Sequence, residues 1–247
     1  MVNVLKQRLD RGENLFGCWI ETGSPVIVEI LGLQGFDFLV LDLEHGQGDL
    51  KDLVDMLRAA KSVGCPCIVR VPWNDPVMLK RVLDSGVDSV MIPCVETAAE
   101  AEAAVRACRY PPRGTRGYAA SAVRASSYGA DPDYMRLAHE QMLIIVQVES
   151  AAAAAQAGAI GKVEGVDMVF IGINDMAGSI GLLEQPAPPR GGKGAAQAAG
   201  GHPGSAQAVG TGPRGGAGRG APAGQGHQPP PTGRQCRASA GPASDAA

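Results

Sequence analysis

No apolar run in this sequence approaches the roughly 18 residues that a membrane-spanning helix needs. Residues 1–11 lack the apolar stretch of a secretory signal. A dominant charge is missing as well: 22 Lys+Arg against 25 Asp+Glu leave a net of −3 over 247 residues, which gives no electrostatic case for nucleic acid or a membrane surface. The expectation is a soluble, cytoplasmic protein of one large domain or two small ones. Metal-type cysteine spacing is lacking too. Cys18, Cys65, Cys67, Cys94, Cys108 and Cys236 read as reduced, mostly buried thiols. Only Pro66 separates Cys65 from Cys67, which is neither zinc nor redox spacing, and no second pair follows.

The last quarter of the chain lacks nearly everything that builds a core. Residues 186–247 contain no Leu, Ile, Met, Phe, Tyr or Trp and a single Val, Val209, while 41 of their 62 residues are Gly, Ala or Pro. Their net charge is +5 against −8 for residues 1–185. Such a segment has too little to bury to offset its ordering entropy, so a disordered tail is expected. Residues 214–220, rich in Arg and Gly, have no aromatic neighbours for stacking on bases, and no nucleic-acid partner is expected.

Residues 1–185 alternate two patterns. Short apolar, often β-branched runs occur at 16–20, 38–42, 67–71, 89–93, 143–148 and 167–171. Helical spacing fills the gaps: from a Ser24 cap with Pro25 behind it to about Leu33, over 49–63, from Asp75-Pro76 to Leu83, over 97–108, over 133–140, and from Ser150 onward. Strands separated by helices imply right-handed βαβ crossovers and a parallel sheet. Six such units fit an α/β barrel of about eight units that lacks two. An open doubly wound sheet is the rival, but no Gly-x-Gly-x-x-Gly turn follows the first strand.

In parallel α/β folds, sites form at the carboxyl ends of strands. There the sequence places Asp42, Glu44 and His45, then Arg70, then Gln147 and Glu149, then Asn174 and Asp175. Glu149 and Asp175 could bind a hard divalent ion through oxygen. His45 offers a base near neutrality and Arg70 a permanent fork for a carboxylate or enolate. Each has a plainer reading: Asp175 as a helix cap, Glu149 as a partner of the next helix dipole, His45 as a loop residue, Arg70 as a structural ion pair. Asp84, late in a helix, needs a cationic partner such as His or Arg. Lys80, in a helix, reads as a surface residue rather than a Schiff-base lysine.

Taken together, segments 17–19, 35–38, 42–45, 69–74, 79–86, 92–97, 109–117, 147–149 and 165–172 resemble the HpcH/HpaI aldolase family of metal-dependent pyruvate aldolases, acting on 4-hydroxy-2-oxoheptanedioate and 2-keto-3-deoxy sugar acids. The resemblance implies a TIM-type (β/α)8 barrel and a homo-hexamer that exchanges its last helix. It implies a class II lyase of aromatic or sugar-acid catabolism that interconverts a 4-hydroxy-2-oxo acid with pyruvate and an aldehyde through an enolate at a divalent ion. By the same resemblance, Glu149 and Asp175 hold Mg²⁺, Mn²⁺ or Co²⁺. Gln147, Trp19 and the Gly172–Asn174 stretch bind substrate, His45 is the base, Asp84 raises its basicity, and Arg70 stabilises the enolate. Ile173 and Asn174 stand where many members carry Pro followed by Ala or Ser.

The family pattern stops just after 181–185, where a further helix, two strands and the exchanged helix are expected. The barrel domain is therefore read as residues 1–185, about six units and incomplete, followed by an aberrant tail at 186–247. The Ala, Gly, Pro and Arg of that tail suit a reading-frame shift in a GC-rich gene, with a genuine low-complexity tail as the rival. A barrel of six units is expected to leave its first and sixth strands as unpaired edges and to expose apolar helix faces. The alternatives to an aldolase are a citrate-lyase-like lyase or decarboxylase, and a truncated, inactive chain.

Overall fold

Side-chain caps start most of the helices. Ser24 accepts from the main chain of Ile27, with Pro25 at the first position of its helix. Asp75 does the same for Met78 and Ser150 for Ala153, satisfying main-chain donors that a helix start leaves orphaned. Asp49 with Asp52, and Thr97 with Glu100, form reciprocal capping boxes.

The computed structural model describes residues 2–183 together with the backbone of residues 206–209 and 235–238. In chain order the elements are α1 (Val4–Asp10), β1 (Leu15–Ile20), α2 (Pro25–Gly32), β2 (Phe38–Asp42), α3 (Leu50–Ser62), β3 (Cys67–Arg70), α4 (Pro76–Asp84) and β4 (Ser89–Ile92). They continue with α5 (Ala98–Cys108), α6 (Tyr134–Gln141), β5 (Leu143–Val148), α7 (Ala151–Ile160), β6 (Met168–Ile171), α8 (Ile173–Ser179), β7 (Ala206–Val209) and β8 (Gln235–Ala238). The six strand runs read from the sequence match β1–β6 to within a residue at each end. Two seven-residue helices are additional: α1, capped by Asn3, and α8, which follows Gly172 without a side-chain cap.

Strands β1 to β6 pair in sequence order and in parallel. The expected unpaired edges are covered. β7 joins β6 in parallel, and β8 pairs antiparallel with both β1 and β7, closing the ring. Edge N–H and C=O groups accept any extended backbone regardless of its side chains, so even a stretch poor in apolar residues can close the sheet. The antiparallel course of β8 departs from an all-parallel eight-strand barrel. Apart from these two strands, the expected tail at 186–247 lies outside the described residues. Exposed apolar helix faces are present as expected: α2 and its cap show Val26, Ile30 and Leu33 to solvent.

Alternation along each strand divides the core in two. Leu39, Leu41, Val69, Val90, Ile92, Ile144, Val146 and Val148 pack outward under the helices. Leu15, Phe38, Val40, Ile68, Met91, Leu143, Ile145, Met168 and Phe170 fill the interior, joined by Leu5 and Leu9 of α1. Each of these fully buried side chains contributes about 1.5–3 kcal/mol relative to exposure. Gly17 is required in β1 because a Cβ there would overlap the Phe38 ring.

Candidate active site

Following the interior series toward the carboxyl end of each strand replaces carbon with polar groups. Gly17 is followed two residues on by Trp19, Val40 by Asp42, Ile68 by Arg70, and Ile145 by Gln147 and then Glu149. Period-two geometry puts each of them on the inner face. Asp42, Arg70, Gln147 and Glu149 are all buried, so each needs a partner.

Register supplies the first pair, because Asp42 lies opposite Arg70 in the β2–β3 ladder. The Arg70 Nε donates to Asp42 Oδ1 at 2.9 Å and its Nη2 to Oδ2 at 2.6 Å, the two-point geometry that a guanidinium forms best. Nη1 lies 2.9 Å from Glu44 Oε2. The guanidinium carbon sits 4.4 Å from the centroid of the Trp19 ring, which in turn meets Phe170 edge-on at 6.1 Å. Burial opposes the Arg70 charge, but the Asp42 bonds and the charges of Asp42, Glu44 and Glu149 outweigh it and raise its pKa.

Asp42 also shapes the following loop. Its Oδ1 accepts from the main-chain N–H of Glu44 at 3.0 Å and of His45 at 3.4 Å. Glu44 is thereby turned inward, and burial raises its pKa against the pull of Arg70. His45 stands exposed on the rim with Nε2 4.0 Å from Glu44 Oε1.

Glu149 sits deeper. Its Oε1 accepts the main-chain N–H of Cys94 at 3.1 Å. Burial pushes its carboxyl up to about 7, helped by the charges of Glu44 and Asp175 and opposed by the Cys94 N–H and Arg70. Gly172 closes one side of the space. A Cβ there would lie 2.8 Å from Glu149 Cγ and 3.1 Å from Gln147 Nε2. The Gln147 side chain is 2% exposed, and its Oε1 has no hydrogen-bond partner among the described residues.

A divalent ion fits this arrangement. One ligand atom each from Glu44, Cys94 and Glu149 lie within 4.8 Å of one another, a spacing compatible with metal–ligand distances of roughly 2.0–2.4 Å. The orphaned Gln147 Oε1 and the cradle under Gly172 leave polar room beside it. Asp175 is exposed on the first turn of α8 next to Asn174 and adds negative charge felt by Glu44, Cys94 and Glu149.

The structure thus gathers Trp19, Arg70, Gln147, Glu149 and Gly172, with His45, Asn174 and Asp175 around them. Asp84 is placed differently. It ends α4, where the chain turns back toward the start of β4, at the amino ends of the strands. The expected cationic partner is there: Arg116 Nη2 donates to Asp84 Oδ1 at 2.7 Å, its side chain fully buried and 4.4 Å over the Tyr110 ring. Among the described residues His45 pairs with Glu44 and Asp84 with Arg116, and no ion pair joins Asp84 to His45. Lys80 is partly buried in α4 beside Gly117, away from the strand ends. A cavity of about 560 Å³, lined by Asn3, Cys65, Asp88 and Arg124 among others, opens at the amino end of the barrel. The converging polar groups are at the other end.

The residue pattern alone assigns no role to Asp42, Glu44 or Cys94. The available signal was their position immediately at or after a strand's carboxyl end.

Known proteins resemble this chain closely. A hydroxypyruvate/pyruvate aldolase from Roseobacter denitrificans is 42% identical over 188 residues, covering 76% of this chain and 73% of that protein. A 5-keto-4-deoxy-D-glucarate aldolase from Salmonella paratyphi A is 43% identical over 187 residues, covering 76% and 73%. The crystal structure of an HpcH/HpaI aldolase/citrate lyase family protein from Burkholderia cenocepacia superposes with a TM-score of 0.76 at 40% identity, over 80% of this chain and 79% of that one. Residues 15–190 match the family model described as HpcH/HpaI aldolase/citrate lyase, and the chain belongs to that family.

Proposed function

We propose that this chain is a class II, divalent-metal-dependent aldolase that cleaves a 4-hydroxy-2-oxo acid to pyruvate and an aldehyde, and runs the reverse addition. The observation that carries this reading is the convergence of a locked guanidinium, a buried carboxyl and a glycine-walled cradle at one end of the barrel. Aldolases at 42–43% identity support it.

Glu149 would hold the ion with Glu44 beside it, and Asp175, exposed on the first turn of α8, would complete the set that the family resemblance implies. When bound, the ion supplies Lewis-acid polarisation of the 2-oxo acid. The Gln147 amide and the main chain at Gly172–Asn174 position the pyruvyl carboxylate, and the absence of a Cβ at Gly172 keeps that space open. Arg70 presents fixed positive charge to the oxygen on which enolate charge develops. Asp42 and Trp19 hold it in place beforehand, so little reorganisation is needed during reaction. In cleavage, His45 takes the proton of the C4 hydroxyl as the C3–C4 bond breaks and electrons move toward the carbonyl. The Glu44 carboxylate lies 4.0 Å from the His45 Nε2. No Schiff-base lysine is required.

The test is pyruvate release from a panel of 4-hydroxy-2-oxo acids, before and after EDTA and after Mn²⁺ is restored. Release should vanish with EDTA and return with Mn²⁺, and Glu149→Gln should lower kcat/KM by at least about a hundredfold. Release that resists EDTA would overturn the proposal.

A further inference from the structure

We propose that the Cys94 thiol is an additional ligand at this site, giving it a mixed sulfur–oxygen character that favours thiophilic divalent ions, Zn²⁺ and Co²⁺, over Mg²⁺. This rests on the reading above, in which Glu149 holds the ion.

Three observations support a ligating thiol. Cys94 offers its sulfur within 4.8 Å of carboxylate oxygens of both Glu44 and Glu149, so a single ion can touch all three. The thiols of Cys18, Cys65 and Cys67 each point at a main-chain carbonyl, whereas that of Cys94 faces two carboxylates. Independently, Gln147 Oε1 is buried without a hydrogen-bond partner among the described residues, and its amide lies beside Glu149 under Gly172, which leaves a further oxygen donor next to the cluster.

The local backbone is arranged around this contact. Cys94 has φ of 55°, a left-handed conformation that a non-glycine residue adopts at a cost. In that conformation its N–H reaches Glu149 at 3.1 Å, while the side chain stays beside the same carboxylates. One residue therefore orients a ligand through its main chain and adds another through its side chain.

Selectivity follows from the donor atom. Oxygen donors suit Mg²⁺ and Mn²⁺, whereas thiolate suits Zn²⁺ and, to a lesser degree, Co²⁺. As the Sγ–metal bond forms, the thiol gives up its proton to solvent, and no oxidant or reductant takes part.

The experiment is a Co²⁺ titration of the EDTA-treated full chain, read by absorption. The wild type should develop a near-ultraviolet sulfur-to-cobalt charge-transfer band. Cys94→Ser should bind Co²⁺ through its carboxylates without that band, and competition titrations should show its Zn²⁺-to-Mg²⁺ affinity ratio reduced by about tenfold or more. Cys94→Gly, which relaxes the positive φ, is the second variant and should lose the band as well. Co²⁺ bound to the wild type without the band, or a band that survives both substitutions, overturns the thiol ligand and leaves the carboxylate site standing. Absence of Co²⁺ uptake, with Glu149→Gln behaving as wild type, overturns the metal site and the thiol ligand together.

Discussion

Replacing Arg70 with Met keeps much of the side-chain volume and removes the charge. The guanidinium is 5% exposed and the Asp42 side chain it binds is fully buried, so the variant strands a carboxylate in the barrel interior. Removing one partner of a buried pair costs about 3–5 kcal/mol. Losing the contact with Trp19 adds about 0.5–2 kcal/mol. The main-chain donors at Glu44 and His45 still serve Asp42 and offset part of this, so a net loss of about 4 kcal/mol is expected. In urea, with a slope of about 1–3 kcal/mol/M, that lowers the unfolding midpoint by about 1.3–4 M. The double variant Arg70→Met/Asp42→Leu removes the stranded charge as well and should recover more than half the loss. Both variants should be inactive. A single-variant cost below about 1 kcal/mol, the range of an exposed ion pair, would refute the reasoning, and so would a double variant no more stable than the single.

Glu149 makes metal-free stability depend on pH. Its carboxyl is pushed up to about 7 from an ordinary 4.5, so between those values the folded chain keeps a proton that the unfolded chain has lost, and stability falls as pH rises. Metal-free Glu149→Gln should therefore melt above the wild type near pH 8 and with it near pH 4; equal melting temperatures at both would contradict the burial argument. Gly172→Ala, at a backbone φ of −84° that alanine accepts, should fold normally yet weaken pyruvate binding by about tenfold or more, because its methyl meets Glu149 Cγ and Gln147 Nε2. Thr97→Ala breaks the capping box of α5 and should cost about 1 kcal/mol in denaturant melts without changing KM.

What the sequence discloses divides along physical lines. The six parallel strands and the caps at Ser24, Asp75, Thr97 and Ser150 are local features, so they are legible without tertiary information. Arg70, Gln147 and Glu149 are legible as site residues because alternation carries an interior series to the strand end. Helices α1 and α8 are less legible. Each has seven residues; Leu5 and Leu9 of α1 gain their burial from the barrel interior they close, and α8 has no side-chain cap. The roles of Asp42 and Glu44 depend on the register of β2 against β3, and that of Cys94 on a left-handed turn, neither of which a residue pattern specifies. The Arg116 partner of Asp84 comes from a loop 32 residues away. Closure of the ring by β7 and β8 depends on main-chain pairing in a segment whose composition argues against strands.

The central claim is that the groups around Arg70, Gln147 and Glu149 form a site for enolising pyruvate with a divalent ion. The most direct measurement is deuterium exchange into the pyruvate methyl group, followed by NMR in D₂O with and without Mn²⁺ or Co²⁺, since it needs no choice of aldehyde. Exchange that requires the ion and disappears in Glu149→Gln and Arg70→Met is the expected result. Exchange that is independent of the ion, or no exchange from folded, metal-loaded protein, would contradict it.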